Sequence, residues 1–303
     1  MPRAAVIVNP TKITETLREA LTEAMTTRGW DEPLWLTTSP DDGGRAMTKE
    51  ALAAGVDRVI TAGGDGTVRV IAGELAESGV PMAVIPSGTG NLLARNLGIP
   101  LQETPAIETA LNDETTTISL IKVVADGADP QWSAVMTGMG IDAMIMDNTD
   151  PKLKAAIGPG AYFVAAAKQA GRLPVRLQIQ VDDERAFRRD AILCIVGNVG
   201  QLTAGLDLLP EADPTDGVLS LLVVSPRRKR DLLRVVVRML LRHRRPDKSL
   251  DRVSGRKVTV QIRGREAYQI DGDAVGECQR LHAEIVPDAL VLVAAGAEPR
   301  PTK

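Results

Sequence analysis

Two short runs of small residues are the part of the 303-residue sequence best suited to chemistry: Gly63-Gly64-Asp65-Gly66-Thr67 and Ser87-Gly88-Thr89-Gly90-Asn91. Each follows an apolar stretch of strand length, RVITA and VPMAVIP, and each precedes a helical pattern. Glycines let a backbone come close to phosphate oxygens, and the N-terminus of the next helix offers unpaired N–H groups and positive dipole. Asp65 would repel a phosphate, so its use in such a cradle is to hold Mg²⁺ against the phosphate chain, directly or through water. The plainer alternative is a Gly-Asp-Gly turn that only reverses the chain. Loops of this kind at consecutive strand ends lie side by side in a doubly wound sheet, so as a pair they can line one crevice for a triphosphate and its sugar.

Other chemistries lack material. His243 and His282 are the only histidines, too few for a His-rich metal centre and poorly suited to a Ser-His-Asp triad. HExxH, GxSxG and GxGxxG are absent, and no GK dipeptide exists from which to build a P-loop. Any acid or base is then a carboxylate. Cys194 and Cys278 are far apart in sequence, which argues against a CxxC zinc site or a disulfide framework and for buried spectators.

The elements that must position the loops can be read from periodicity. Ala4–Val8, Leu34–Thr37, Arg58–Ala62 and Pro81–Ile85 have strand character. Between them, Ile13, Leu17, Ala20, Leu21 and Ala24 mark one helical face, and Arg45–Ala54 and Val68–Glu77 are helical stretches. Strands separated by helices predict a mostly parallel, doubly wound α/β domain over residues 1–115, with the C-terminal segment 290–303 available to pack back on it. From residue 116 to 289 the pattern changes to strands alone: Thr116–Val124, Val175–Val181, Ala191–Val196, Val218–Val224, Val258–Ile262 and Leu281–Val286. Turn signals such as Asp182-Asp183 and Asp271-Gly272 separate them, which predicts an antiparallel β-sandwich domain.

Composition supports a folded protein: 44% hydrophobic and 25% charged residues, with 36 Lys+Arg against 39 Asp+Glu. These fractions exclude disorder, collagen-like repeats and coiled coil. No apolar run approaches the ~18 residues of a spanning helix, and MPRAAVIVNP does not read as a signal peptide, so a cytoplasmic location is expected.

The order of several motifs resembles the diacylglycerol kinase catalytic domain family, which includes bacterial soluble lipid kinases and sphingosine and ceramide kinases. The resemblance rests on VNP at Val8–Pro10, GGDGT at Gly63–Thr67, IPSGTGNLLARNLGIP at Ile85–Pro100 and TGMGIDA at Thr137–Ala143. It continues through GPGAY at Gly158–Tyr162, LLPEADPTDGVL at Leu208–Leu219 and IDGD at Ile270–Asp273. It implies an NAD kinase/diacylglycerol kinase-like fold and ATP bound by Gly63, Gly64, Asp65, Gly66, Thr67, Thr89 and Asn91. Asn9 and Thr37 would lie near the nucleotide, with Thr38 an alternative to Thr37. It further implies Mg²⁺ on Asp213, Asp216 and the main-chain carbonyl of Val218, where the bare residues read as an acidic hairpin turn. Asp271 would be the general base that deprotonates a lipid hydroxyl for attack on the γ-phosphoryl group; read alone, Asp271-Gly272 is a hairpin pair. Asp273 stands where the family often carries Glu. The activity implied is a Mg²⁺-dependent lipid kinase, with diacylglycerol as first choice of acceptor and a homodimer as an option.

Two rivals remain open: an NAD kinase-like phosphotransferase, which shares GGDGT, and a nucleotide- or lipid-binding regulator with weak turnover. For the first, the chain lacks the Asn-Glu pair and the Gly-Ser-Thr-Ala-Tyr segment of NAD kinases. Arg227–Arg245 holds nine Arg or Lys against Asp231, interleaved with Leu232, Leu233, Val236, Val237, Leu240 and Leu241. On a helix this is either a basic amphipathic face for the inner, anionic membrane surface or a core-packed helix with solvated arginines. Nucleic acid is disfavoured because aromatic stacking groups are nearly absent. The Met-rich Val135–Met146 suits an acyl-chain pocket or an interdomain core.

Overall fold

The structure is a computed structural model and describes residues 1–140, 174–201, 208–226, 231 and 249–294. The chain forms two units, Met1–Leu120 with Pro287–Lys303, and Ile121–Val286.

In the first unit β1 (Ala4–Val8), β2 (Leu34–Thr37), β3 (Arg58–Gly63) and β4 (Met82–Pro86) pair in parallel in the order β2-β1-β3-β4. The end of β14 (Asp273–Val293) adds to β4, also parallel, with Leu292 opposite Met82. β1 and β3 are buried at every position, the mark of strands covered on both faces. On one face α1 (Glu15–Thr27) and α5 (Glu103–Ala110) bring Leu17, Leu21, Met25, Ala106 and Ile107 against Val6, Val8, Ile60 and Ile85. α2 (Arg45–Ala53) and α3 (Asp65–Leu75) pack together on the other, which makes the domain doubly wound. Thr14 starts α1 by accepting a hydrogen bond from the Leu17 N–H at 3.1 Å.

One boundary differs from expectation in a way that matters for the site. Periodicity predicts a helix from Val68, yet α3 begins at Asp65, and the Val68 N–H already donates to the Gly64 carbonyl. The first turn is Asp65-Gly66-Thr67, which carries no apolar stripe and so leaves no periodic signal. Most of the glycine-rich run is therefore helix N-terminus rather than loop.

In the second unit the strands from Met136 to the first part of β14 pair antiparallel with one another. β8 (Val175–Val181), β13 (Lys257–Ile270) and the first part of β14 contribute Leu177, Ile179, Val258, Val260, Leu281 and Ala283 to one core. β10 (Leu193–Gly197) and β11 (Leu219–Val224) face them with Cys194, Val196, Leu219, Leu221 and Val223, giving the β-sandwich. Both cysteines are free and buried, and burial pushes the Cys194 thiol up to about 12. β13 turns into β14 through Asp271-Gly272, both at positive φ (50° and 92°), the geometry of a two-residue hairpin.

Four strands were not anticipated: β6 (Gln131–Ser133), β7 (Met136–Gly140), β9 (Phe187–Ala191) and β12 (Leu250–Gly255). β7 gives the first part of the Met-rich stretch its structure: Met136–Gly140 is a sheet strand between β10 and β13, with Met136 and Met139 buried. Its small residues carry little strand propensity, and its partners lie more than fifty residues away in sequence, so only the tertiary pairing defines it. Met144 and Met146, GPGAY, Ile141–Ala143 and all of Arg227–Arg245 except Asp231 lie outside the described residues. Among the described residues no helix is long and apolar enough to cross a membrane.

Candidate functional site

The first unit gathers its predicted residues at the C-terminal ends of the parallel strands. In the order β2-β1-β3-β4 the direction of winding reverses between β1 and β3, and ligands of doubly wound sheets sit at that switch point. Asn9 follows β1, and Gly63 ends β3. Gly63 pairs with Pro86, and the Ser87 N–H donates to the Gly63 carbonyl at 3.0 Å, so both small-residue runs leave the sheet at the same level.

These runs then touch backbone to backbone. A Cβ added to Gly88 would stand 2.6 Å from the Gly64 Cα, and one added to Gly90 would stand 2.5 Å from Asp65 Oδ2. The clamp is Asp65. Its Oδ2 accepts from the Asn91 N–H at 2.8 Å and its Oδ1 from the Leu92 N–H at 2.6 Å, so one carboxylate caps the start of α4 (Leu92–Asn96) from the neighbouring loop. Asn91, in the left-handed region at φ 48°, closes the second loop on itself: its Oδ1 accepts from the Gly88 N–H and its Nδ2 donates to the Gly88 carbonyl, both at 2.9 Å. Sequence reasoning gave Asp65 a metal and Asn91 a nucleotide; the structure shows both side chains engaged in building the cradle. Gly64, at the start of α3, makes no side-chain cap, and Thr89 is exposed. An open helix N-terminus beside a glycine-lined surface is the donor set that phosphate oxygens require.

Asn9 accepts from the Thr11 N–H and Oγ1 at 3.0 and 2.8 Å, which shapes the turn after β1. Thr37 is exposed at the end of β2, while Thr38 is buried with its N–H on the Val8 carbonyl. The exposed hydroxyl is the one a ligand above β2 could reach. Arg95, in the last turn of α4, donates from Nε to the Gly90 carbonyl at 2.8 Å and is a residue of this region that sequence reasoning did not single out.

The second unit holds the other predicted residues. Asp271 is 4% exposed and anchored at both oxygens: Oδ1 accepts from Ser133 Oγ (2.5 Å), Val135 N (3.0 Å) and Met136 N (2.9 Å), and Oδ2 from Ala134 N (2.8 Å). Three successive N–H groups converging on a carboxylate form an anion nest. Ser133 is a partner 138 residues away that no motif announced. Asp213 and Asp216 sit on the turn that leads into β11. Asp213 Oδ1 accepts from the Thr215 N–H and hydroxyl, and Asp216 Oδ1 from the Val218 N–H at 2.8 Å. Burial, and then the charge of Asp213, pushes the Asp216 carboxyl up. Two neighbouring carboxylates on one turn could share a cation, although no cluster of three or more His, Cys, Asp or Glu side chains offers a metal site among the described residues.

A doubly wound sheet with clamped glycine turns beside its switch point, combined with an antiparallel sandwich, defines a two-domain protein of the nucleotide-binding type. Comparison with known proteins narrows this. Residues 3–123 match the family model described as diacylglycerol kinase catalytic domain, and residues 134–294 match the YegS C-terminal NAD kinase beta sandwich-like domain. The chain belongs to the diacylglycerol kinase catalytic domain family. A diacylglycerol kinase of Mycobacterium tuberculosis is 30% identical over 63% of this chain, and the match spans 62% of that relative's length. A "Probable lipid kinase YegS-like" of Klebsiella pneumoniae is 32% identical, with 74% of each chain covered. The solved structure of a diacylglycerol kinase from Bacillus anthracis superposes with a TM-score of 0.74 at 18% identity, covering 97% of both chains, which concerns the fold.

Proposed function

We propose that the chain is a lipid kinase that uses ATP and Mg²⁺ to phosphorylate a lipid hydroxyl, converting diacylglycerol to phosphatidic acid. The observation that carries the reading is the Asp65 clamp, which packs both glycine turns into one backbone-lined cradle at the ends of β3 and β4, beside the switch point. The names of the relatives supply the acceptor class.

In this reading Gly63–Thr67 and Ser87–Asn91 hold the phosphates, and Asn9 and Thr37 border the nucleotide. Mg²⁺ accompanying the nucleotide would neutralise charge that develops on the transferring phosphoryl group. Asp271 takes the proton of the acceptor hydroxyl as its oxygen bonds to the γ-phosphorus and ADP leaves. Proton removal comes late in a loose transition state, so a carboxylate held rigidly by its nest contributes chiefly by orientation. Asp213, Asp216 and the Val218 carbonyl would hold a structural Mg²⁺ that offsets the mutual repulsion of the two carboxylates.

The test incubates the purified chain with Mg²⁺, γ-labelled ATP and native membrane lipids, and follows product by mass spectrometry. Label is expected in phosphatidic acid; label in no lipid pool sinks the reading, and label in NAD added in parallel replaces it with the NAD kinase-like one. Asp271→Asn should lower turnover by about 10²–10⁴-fold with ATP binding retained. Undiminished residual activity in that variant would remove Asp271 from the mechanism.

A further inference from the structure

The solvent face of the second unit's strands carries more arginine than its fold requires. Register places Arg188, Gln178, Gln261 and Arg280 in one row across β9, β8, β13 and β14. Arg176 and Arg263 stand on the adjacent rung of the same face, two residues from Gln178 and Gln261 along their strands. All six are exposed, while Leu177, Ile179 and Ile262 point into the core beneath them. Arg176, Gln178, Arg188, Gln261, Ile262 and Arg263 line a shallow pocket of about 260 Å³.

The charge in this pocket is only partly answered. Arg176 pairs with Asp190 at 3.0 Å. Arg188 reaches the neutral Gln178 Oε1 at 3.4 Å, and among the described residues neither Arg188 nor Arg263 has a carboxylate within ion-pair distance. Like charges on neighbouring strands destabilise a sheet, and the chain as a whole is acidic at −3, so this accumulation is not a general basic surface. A ligand of opposite charge offsets that cost. Guanidinium groups with two amide side chains between them match phosphoryl oxygens, which accept paired N–H donors.

We propose that this face docks the chain on an anionic bilayer, with a headgroup phosphate seated between Arg176, Arg188 and Arg263. The choice of a bilayer over other phosphates rests on the lipid kinase reading, since such an enzyme meets its acceptor in a membrane. The face itself favours it as well. It is a broad exposed strand surface on which Tyr268 is buried in the core and Phe187 packs partly buried against it, so among the described residues no aromatic ring projects from this face to stack a base.

The experiment sediments the full chain with vesicles of phosphatidylglycerol and phosphatidylcholine, or of phosphatidylcholine alone, at low and high salt. Binding is expected to the anionic vesicles only and to fall with salt. Replacing Arg176, Arg188 and Arg263 together by Gln should weaken it on the order of 100-fold without lowering Tm, whereas replacement by Lys, which keeps the charge but not the paired N–H donors, retains part of it. The Gln variant should phosphorylate a dispersed short-chain diacylglycerol as the parent does and lose activity on vesicle-embedded diacylglycerol. Equal vesicle binding by parent and Gln variant overturns the docking face while leaving transfer to the short-chain acceptor to speak for the kinase. Loss of vesicle binding in the variant, with no transfer to any acceptor by the parent, upholds docking and removes the kinase reading. Binding of inorganic phosphate or duplex DNA at this face without binding of anionic vesicles overturns the bilayer as its partner.

Discussion

Single side chains here do work that their motifs conceal. Asp271 begins a hairpin turn, and the same residue fills a nest of three backbone N–H groups from Ala134, Val135 and Met136. The Asp-Gly pair was legible as a turn; the nest was not, because its donors come from a stretch without a motif. His282 shows how the surroundings set a titration. Burial is the largest influence and lowers the imidazole's proton affinity, Glu284 opposes it, and Arg280 and Lys257 reinforce it; Thr259 Oγ1 lies 2.9 Å from Nδ1. The folded state therefore disfavours the protonated ring relative to the unfolded chain. The contribution of His282 to stability is complete above the ordinary imidazole range near 6.5 and is lost as pH falls through the lowered value. His282→Gln is expected to flatten the decline of Tm between about pH 7 and pH 5; an unchanged decline would assign the loss to other groups.

At the scale of elements, the glycine turns are where local and tertiary requirements meet. Each run was recognisable from its composition and its place after a strand, but their direct contact depends on the β3–β4 pairing that sets Gly63 against Pro86. Gly88→Ala should force the turns apart, since its Cβ has no room beside the Gly64 Cα. We expect a loss of about 1–3 kcal/mol in stability, the usual range for overpacking, together with a larger loss in ATP affinity. Urea unfolding and nucleotide titration read the two effects separately, and a variant with parental values in both would show that the turns need no close approach. Elsewhere, helix ends depend on distant residues. Arg58, on β3, donates from Nη1 to the Ala110 carbonyl at the end of α5 at 2.8 Å and lies 4.8 Å from the Trp30 ring centre. A cation at a helix C-terminus complements its dipole, yet the separation of 52 positions between Arg58 and Ala110 hides the pairing from any local reading.

For the whole molecule the consequential feature is that the first unit is not continuous in sequence. Residues after Pro287 belong to it, Leu292 extends its sheet beside Met82, and Ala289, Leu290 and Val293 are buried. A fragment ending at residue 123, as far as the catalytic-domain match extends, lacks that strand and leaves β4 with an open edge, a template for association. Such a fragment is expected to aggregate or to unfold without a cooperative transition. One carrying residues 287–303 through a flexible linker should recover cooperative melting, and cooperative, monomeric behaviour of the short fragment would show the strand to be dispensable. Sequence alone determined the class of the two domains, the first four strands of the parallel sheet and the location of the glycine turns, because periodicity and turn chemistry are properties of neighbouring residues. Tertiary structure alone decided which side chains clamp those turns, which backbone holds Asp271, where β7 belongs and that arginines from separate strands share one face. Those contacts join residues tens to more than a hundred positions apart, and only pairing of strands in space brings them within hydrogen-bonding or electrostatic range.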